Sequence, residues 1–333
     1  MKRPWGLLHN VVARINGAEL WDLIGAISFE ERCTGALETL HSEGKLRYKK
    51  LFKINDPESG YSNLVRQKTK QHLLVSQTFG VTTEDIVEVE LFSPANIIVS
   101  SIHDFLTKTN GNVILDISSL PKRIFFPCLK LILNSDRVRN LIVTYSIPED
   151  YTREPLGADT DPLGYFPLFS PQQVKPHEPE VIIIGVGYLP FDLGDLYQHF
   201  AEDVPVKVLF PFPPGPPSFQ RNWQFLLDIF GEAESDSIPE PIRADARDVS
   251  YVFDVIGDLT SDGTKTACLL PFGPKPHSLA MALHSLKGKS KDIVLYTQPK
   301  AYHFDYSIGL RRSEGIPEAY GYCIKLSGNN LYF

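Results

Sequence analysis

Two stretches of this chain repeat one another, and that repetition limits the fold more than any other feature. Asn112–Tyr151 (NVILDISSLPKRIFFPCLKLILNSDRVRNLIVTYSIPEDY) reads as buried strand, polar turn, helix, buried strand and second polar turn. Thr266–Tyr302 (TACLLPFGPKPHSLAMALHSLKGKSKDIVLYTQPKAY) has the same order. Each carries Pro-Lys at the mouth of its helix, Pro121-Lys122 and Pro274-Lys275. Each also ends in Tyr-Ser/Thr-x-Pro-x-x-Tyr, with Tyr145, Pro148 and Tyr151 matched by Tyr296, Pro299 and Tyr302. Two apolar strands joined through a helix pair in parallel, because the crossover returns the chain to the same end of the sheet.

The same alternation runs through the rest of the chain. Trp21–Ile27 is an apolar strand, followed by a helix that ends near Gly44; Ser28-Phe-Glu-Glu31 has the spacing of a capping box. A strand over 46–54, a polar helix over 63–79, a strand over 86–91 and a helix over 95–106 lead into the first copy of the repeat. Residues 152–179 are dense in Pro, Gly and Asp and read as a linker, with Tyr165, Phe166, Leu168 and Phe169 expected to dock. Beyond it come strands over 181–186 and 206–210 and helices over 191–200, 219–230 and 249–259, then the second copy. The expected fold class is α/β: two tandem Rossmann-like domains, each a mainly parallel sheet of about five strands with flanking helices. The expected boundaries are 1–151, a linker over 152–179, a second domain over 180–310 and a tail over 311–333. A chain of 333 residues suits two cores better than one.

Composition narrows the function classes. The net charge of −7 gives no global field toward nucleic acid or anionic lipid, which argues against direct nucleic-acid binding. The four cysteines, Cys33, Cys128, Cys268 and Cys323, show no metal-ligand spacing and no disulfide framework, so no metal and no cofactor is expected and a reducing compartment is favoured. No signal-peptide core and no membrane-length apolar run is seen; the expected location is cytoplasmic.

In doubly wound sheets, ligands bind beyond the carboxyl ends of the strands, where helix N-termini point. In the first half that edge gathers Ser28, Glu30, Glu31 and Arg32, then Asp116, Ser118, Ser119, Lys122 and Arg123, then Tyr151. Ser119 is placed to cap the helix after Pro121, while Lys122 and Arg123 oppose the helix dipole in its first turn. That placement suits a bound anion such as a phosphate. The second half offers Gly273, Lys275, His277 and Tyr302, without counterparts to Asp116 or the Glu30-Glu31 pair. Glu30, Glu31 and Asp116 are therefore the candidate catalytic groups. Plainer readings stand beside these: Ser28 and Glu31 as a cap, Asp116 bonding turn amides, and Pro-Lys as a helix start with a solvated lysine. Gly185-x-Gly187 lacks the third glycine of a dinucleotide fingerprint, and Arg66 and His72 carry a spacing seen in some metal-independent ribonucleases.

The strand, the polar turn with Lys at the helix start, the helix, the strand and its aromatic together resemble the ligand-binding half of CARF domains, Rossmann-like sensors of cyclic oligonucleotides in prokaryotic immunity. The resemblance implies paired ligand edges, here supplied as a tandem pair within one chain, with Ser118, Ser119 and Lys122 in one half and Gly273 and Lys275 in the other contacting anions. The turns differ from the glycine- and threonine-rich form usual there, reading Ser-Ser-Leu-Pro-Lys and Phe-Gly-Pro-Lys. The expected function is a nucleotide-binding sensor or regulatory protein of an antiviral defence or signalling system, acting with a protein partner. Two alternatives remain: a hydrolase-type enzyme on a nucleotide or phosphorylated small molecule, with its reactive site in the first domain, and a structural scaffold whose Pro211–Pro217 loop is a docking surface.

Overall fold

The computed structural model describes residues 2–15, 19–154, 156–169, 178–187, 200–201, 203–213, 219–230, 240–287 and 291–333. It is a mixed α/β structure that divides into two compact units, Met1–Ala158 with Lys300–Phe333, and Asp159–Pro299. The main strands are β1 (Trp5–Leu7), β2 (Trp21–Ile27), β3 (Leu46–Asn55), β4 (Ile86–Glu90), β5 (Asn112–Asp116), β6 (Asn140–Ser146), β7 (Gly164–Tyr165), β8 (Val181–Gly185), β9 (Val206–Pro211), β10 (Ile242–Ala244), β11 (Ala267–Leu270), β12 (Ile293–Tyr296) and β13 (Ala319–Leu326). Among the described residues the α-helices are α1 (Leu8–Ala13), α2 (Gly35–Ser42), α3 (Ser62–Gln77), α4 (Ala95–Lys108), α5 (Lys122–Leu133), α6 (Phe219–Phe230), α7 (Val249–Leu259) and α8 (Lys275–Ser285). The helix expected over 191–200 falls almost entirely outside the described residues.

The first unit's sheet has the order β1-β13-β6-β5-β2-β3-β4. The run from β6 to β4 is parallel, while β13 lies antiparallel to β6 and β1 antiparallel to β13. All seven residues of β2, all five of β5 and all seven of β6 are buried, so these strands are covered on both faces, as parallel strands require. One face packs Leu23, Ile114 and Ile142 with α1 and α2 residues such as Leu8 and Leu37. Ile24, Leu115 and Val143, at the alternate positions, are equally closed to solvent, and α4 packs on α5. The second unit's sheet has the order β10-β9-β8-β11-β12-β7, parallel except where β7 meets β12.

Several expectations are corrected here. The Ser28–Glu31 capping box does not form: the chain enters a 3-10 turn over Glu31–Thr34 whose N-cap residue is Glu30, with no side-chain cap bond. The α-helix begins at Gly35, where a Cβ would stand 2.4 Å from the Ser146 hydroxyl, so close packing on β6 fixes the start. Its end near Gly44 is as expected, with φ of 62° supplied by glycine. Ser119 does not cap α5, whose N-cap residue is Pro121 and has no side-chain cap bond. The 152–179 stretch is not a bare linker, since Gly157–Thr160 and β7 are strands and Phe166 stacks on Tyr296 at 5.2 Å. The 311–333 segment, expected as a tail, belongs to the first unit. It contains β13, whose Tyr322 and Ile324 are buried and which closes the open edge of β6.

Candidate functional site

In the first unit β3 and β4 are laid on one side of β2, and β5 and β6 on the other. The carboxyl ends of β2 and β5 therefore flank the point where strand order reverses, which is where open α/β sheets form a crevice. The two strands approach closely there: a Cβ on Gly25 would lie 3.1 Å from the Asp116 Cβ.

Behind β2, a buried ionic knot fills the turn. Arg32 sends Nε and Nη2 to Oε2 of Glu30 at 2.8 and 2.7 Å, and Nη1 donates to the Tyr145 hydroxyl at 2.9 Å. The Tyr145 and Tyr151 hydroxyls meet at 3.1 Å, and the guanidinium lies over both rings, 5.3 and 5.9 Å from their centroids. Ser307 donates to the same Glu30 oxygen at 2.6 Å. Burial works against the Arg32 charge, but the Glu30 carboxylate and the surrounding tyrosines outweigh it and raise the guanidinium pKa further. Glu30 thus spends its oxygen on three donors and anchors the 300–310 segment. Glu31, its neighbour, faces solvent.

Beyond β5, Asp116 Oδ1 accepts from the Ser118 amide at 2.9 Å and from the Ser118 hydroxyl. That hydroxyl in turn accepts from the Ser146 amide at 2.8 Å, tying the β5 turn to the end of β6. Asp116 and Ser118 therefore shape the turn. Ser119 differs: it is 8% exposed, and its hydroxyl has no hydrogen-bond partner. Lys122 is buried in the first turn of α5, and Arg123 lies over the Phe92 ring at 5.2 Å. Ser28 accepts at its carbonyl from His72 Nδ1 at 2.9 Å if that nitrogen carries the proton. Arg66 is held by Glu58 in a bidentate pair at 2.9 Å, so Arg66 and His72 form no joint site.

In the second unit Gly273 is a packing position, since a Cβ there would lie 3.1 Å from the Val186 carbonyl. Gly187 is tighter still: its Cβ would fall 2.0 Å from the Phe272 carbonyl oxygen, which explains the Gly185-x-Gly187 pattern without a dinucleotide. Lys275 opens α8. His277 is fully buried, with Nε2 2.8 Å from the Asp245 carbonyl. Tyr302, expected on this unit's turn, instead lies in the first unit, 6.5 Å from the Phe29 ring and edge-on to Tyr306 at 5.7 Å.

The structure thus brings Glu30, Arg32 and Tyr151 together, links Tyr302 to Tyr151 through the Tyr306 ring that both meet, and leaves Glu31 facing solvent. It adds groups that the sequence did not single out, Ser307, Tyr306 and Asp56. Asp56 follows the last residue of β3 on the same carboxyl edge and is partly buried. Burial, helped by the nearby Glu90 carboxylate, pushes its pKa up to about 7. Among the described residues, no group of three or more His, Cys, Asp or Glu stands ready to hold a metal ion, and no helix is long and apolar enough to cross a membrane. Compared with known proteins, the chain matches no protein-family model and no curated protein.

Proposed function

We propose that this protein binds a nucleotide or another phosphate-bearing ligand at the carboxyl edge of its first unit, and acts as a sensor or regulatory subunit beside a protein partner. The start of α5 carries this reading. It lies at the reversal of strand order and has no side-chain cap, and two residues ahead of its N-cap the Ser119 hydroxyl is buried without a partner. A buried hydroxyl left unmatched costs about 1–3 kcal/mol. Lys122 and Arg123 in the first turn oppose the helix dipole. A phosphate would accept from the hydroxyl and offset the opposed charges.

The same proposal takes the two units as tandem Rossmann-like domains of common origin, similar to CARF domains. Its support is the order third–second–first–fourth–fifth, which the parallel strands of both units share, together with the repeated Pro-Lys start of α5 and α8. A cytoplasmic role in prokaryotic defence rests on that resemblance. A second reading, an enzyme acting on such a ligand, is favoured by Asp56, whose carboxyl exchanges a proton near neutrality on the same sheet edge.

A thermal-shift series with inorganic phosphate, mononucleotides and cyclic di- to hexanucleotides tests these readings. A ligand at 100 times its Kd adds about 2.7 kcal/mol of stability. Loss of the shift in both Lys122→Ala and Lys275→Ala supports the paired sensor. Ligand turnover abolished by Asp56→Asn, with Lys275→Ala harmless, supports the enzyme. No shift with any of these ligands sinks both and leaves a scaffold.

A further inference from the structure

The second unit carries a cleft that none of the residues discussed so far line. It has a volume of about 430 Å³, within the range of small-molecule sites, and its walls are Phe210, Trp223, Glu240, Pro241 and Arg243. Phe210 is the penultimate residue of β9 and pairs in register with Arg243 of β10, so the cleft opens beside the carboxyl ends of the two outer strands. Trp223 comes from the second turn of α6. Its ring meets that of Phe210 at a 47° tilt with centroids 5.1 Å apart, and 37% of the residue is exposed. Arg243 holds its guanidinium 5.6 Å from the centroid of Phe212, which is itself 43% exposed.

We propose that this cleft binds a purine base, with guanine the preferred one. A part-exposed indole braced at its side by a buried phenyl ring presents a flat surface, and bases stack on such rings and on guanidinium planes. The rim adds one acceptor and one donor of opposite charge, Glu240 and Arg243. A carboxylate accepts from the N1–H and N2–H of guanine, and a guanidinium donates in a fork to its O6 and N7. Adenine offers no such division between a donor edge and an acceptor edge, and pyrimidines give less stacking surface. Among the described residues that line the cleft Arg243 is the one cation, so the assignment made here is of the base and not of a phosphate. The proposal is independent of what the α5 edge binds.

The test is a titration of the intact protein with guanosine, which lacks phosphate and so bypasses the α5 edge. Trp223 is one of three tryptophans; Trp21 is fully buried and Trp5 lies in the first unit. With excitation at the red edge of the indole band, guanosine should quench emission saturably, adenosine should bind more weakly and cytidine more weakly still. Trp223→Phe should abolish the quench while calorimetry still detects binding, and Trp223→Ala should weaken binding by roughly tenfold or more. Glu240→Gln should weaken guanosine without affecting adenosine. Circular dichroism confirms that each variant is folded. Quenching that persists in Trp223→Phe, or calorimetry that finds no guanosine binding to the parent protein, overturns the proposal; adenosine binding as tightly as guanosine overturns the guanine assignment.

Discussion

Arg32 holds Nη2 2.7 Å from the Glu30 carboxylate, and both side chains are closed off from water. Breaking a buried pair by removing one partner strands the other charge, which costs about 3–5 kcal/mol. Arg32→Met and Glu30→Gln should each lower stability to urea by that order. Replacing both with apolar residues of similar volume should cost much less than the two single changes together, as a double-mutant cycle would show. Additive losses in that cycle would remove the ionic knot as an explanation of this turn.

Asp56 makes stability depend on pH in the direction opposite to that of a salt-bridged carboxylate. Its folded pKa is raised from 3.8 to about 7, so between those values the folded state binds more protons than the unfolded one. Stability therefore falls as pH rises from about 4 to about 7 and then levels off. Asp56→Asn should flatten that window and stabilise the protein at pH 8 by up to about 4 kcal/mol. Urea midpoints measured across this range decide it: parallel profiles for parent and variant would exclude a raised Asp56.

Ser119 separates a ligand site from a structural turn. Its hydroxyl is buried and unpartnered, so Ser119→Ala should leave unliganded stability unchanged or raise it by up to about 1 kcal/mol. The same change should shrink the thermal shift produced by any phosphate-bearing ligand that binds the α5 edge. A variant that is destabilised, with its ligand response intact, would make Ser119 a structural residue.

The four cysteines should be silent toward thiol reagents. All are free and buried; burial pushes Cys33 up to about 12 and Cys323 to about 11, and raises Cys128 and Cys268 beyond those. Thiolate is the reactive form, so no rapid labelling is expected at pH 8 in native buffer, against four equivalents in denaturant. Fast native labelling of any one would place it at an opening that the folded chain does not show.

Much of the sheet was legible because buried parallel strands announce themselves as unbroken apolar runs. Leu23–Ile27 and the cores of β5, β6 and β8 are such runs, and α4 carries the helical period in its buried Ile98, Ile102 and Phe105. What escaped was set by long-range partners. The capping spacing at Ser28 and Glu31 is sound in local terms, but the entry turn is fixed by Arg32, Tyr145 and Ser307, and nothing near Glu30 signals a serine 277 positions away. β13, AYGYCIKL, has no clean apolar/polar alternation, and its place beside β6 depends on an edge that only the folded sheet defines. Asp56 lies in a Pro/Ser/Gly turn that reads as solvent-exposed; its raised pKa arises from burial and from Glu90 on the next strand.

The division of the first unit between two distant segments sets an order on its assembly. At roughly 5–20 residues per second, a ribosome that has finished β6 needs roughly ten to thirty seconds to deliver β13. During that interval the outer edge of β6 has no neighbour to take its backbone groups, and an open edge of apolar strand is a template for pairing with another chain. The second unit, continuous in sequence, is complete before the first can close. Premature termination anywhere between β6 and β13 would therefore leave a fragment prone to aggregate, with the earliest-made sheet as its sticky part.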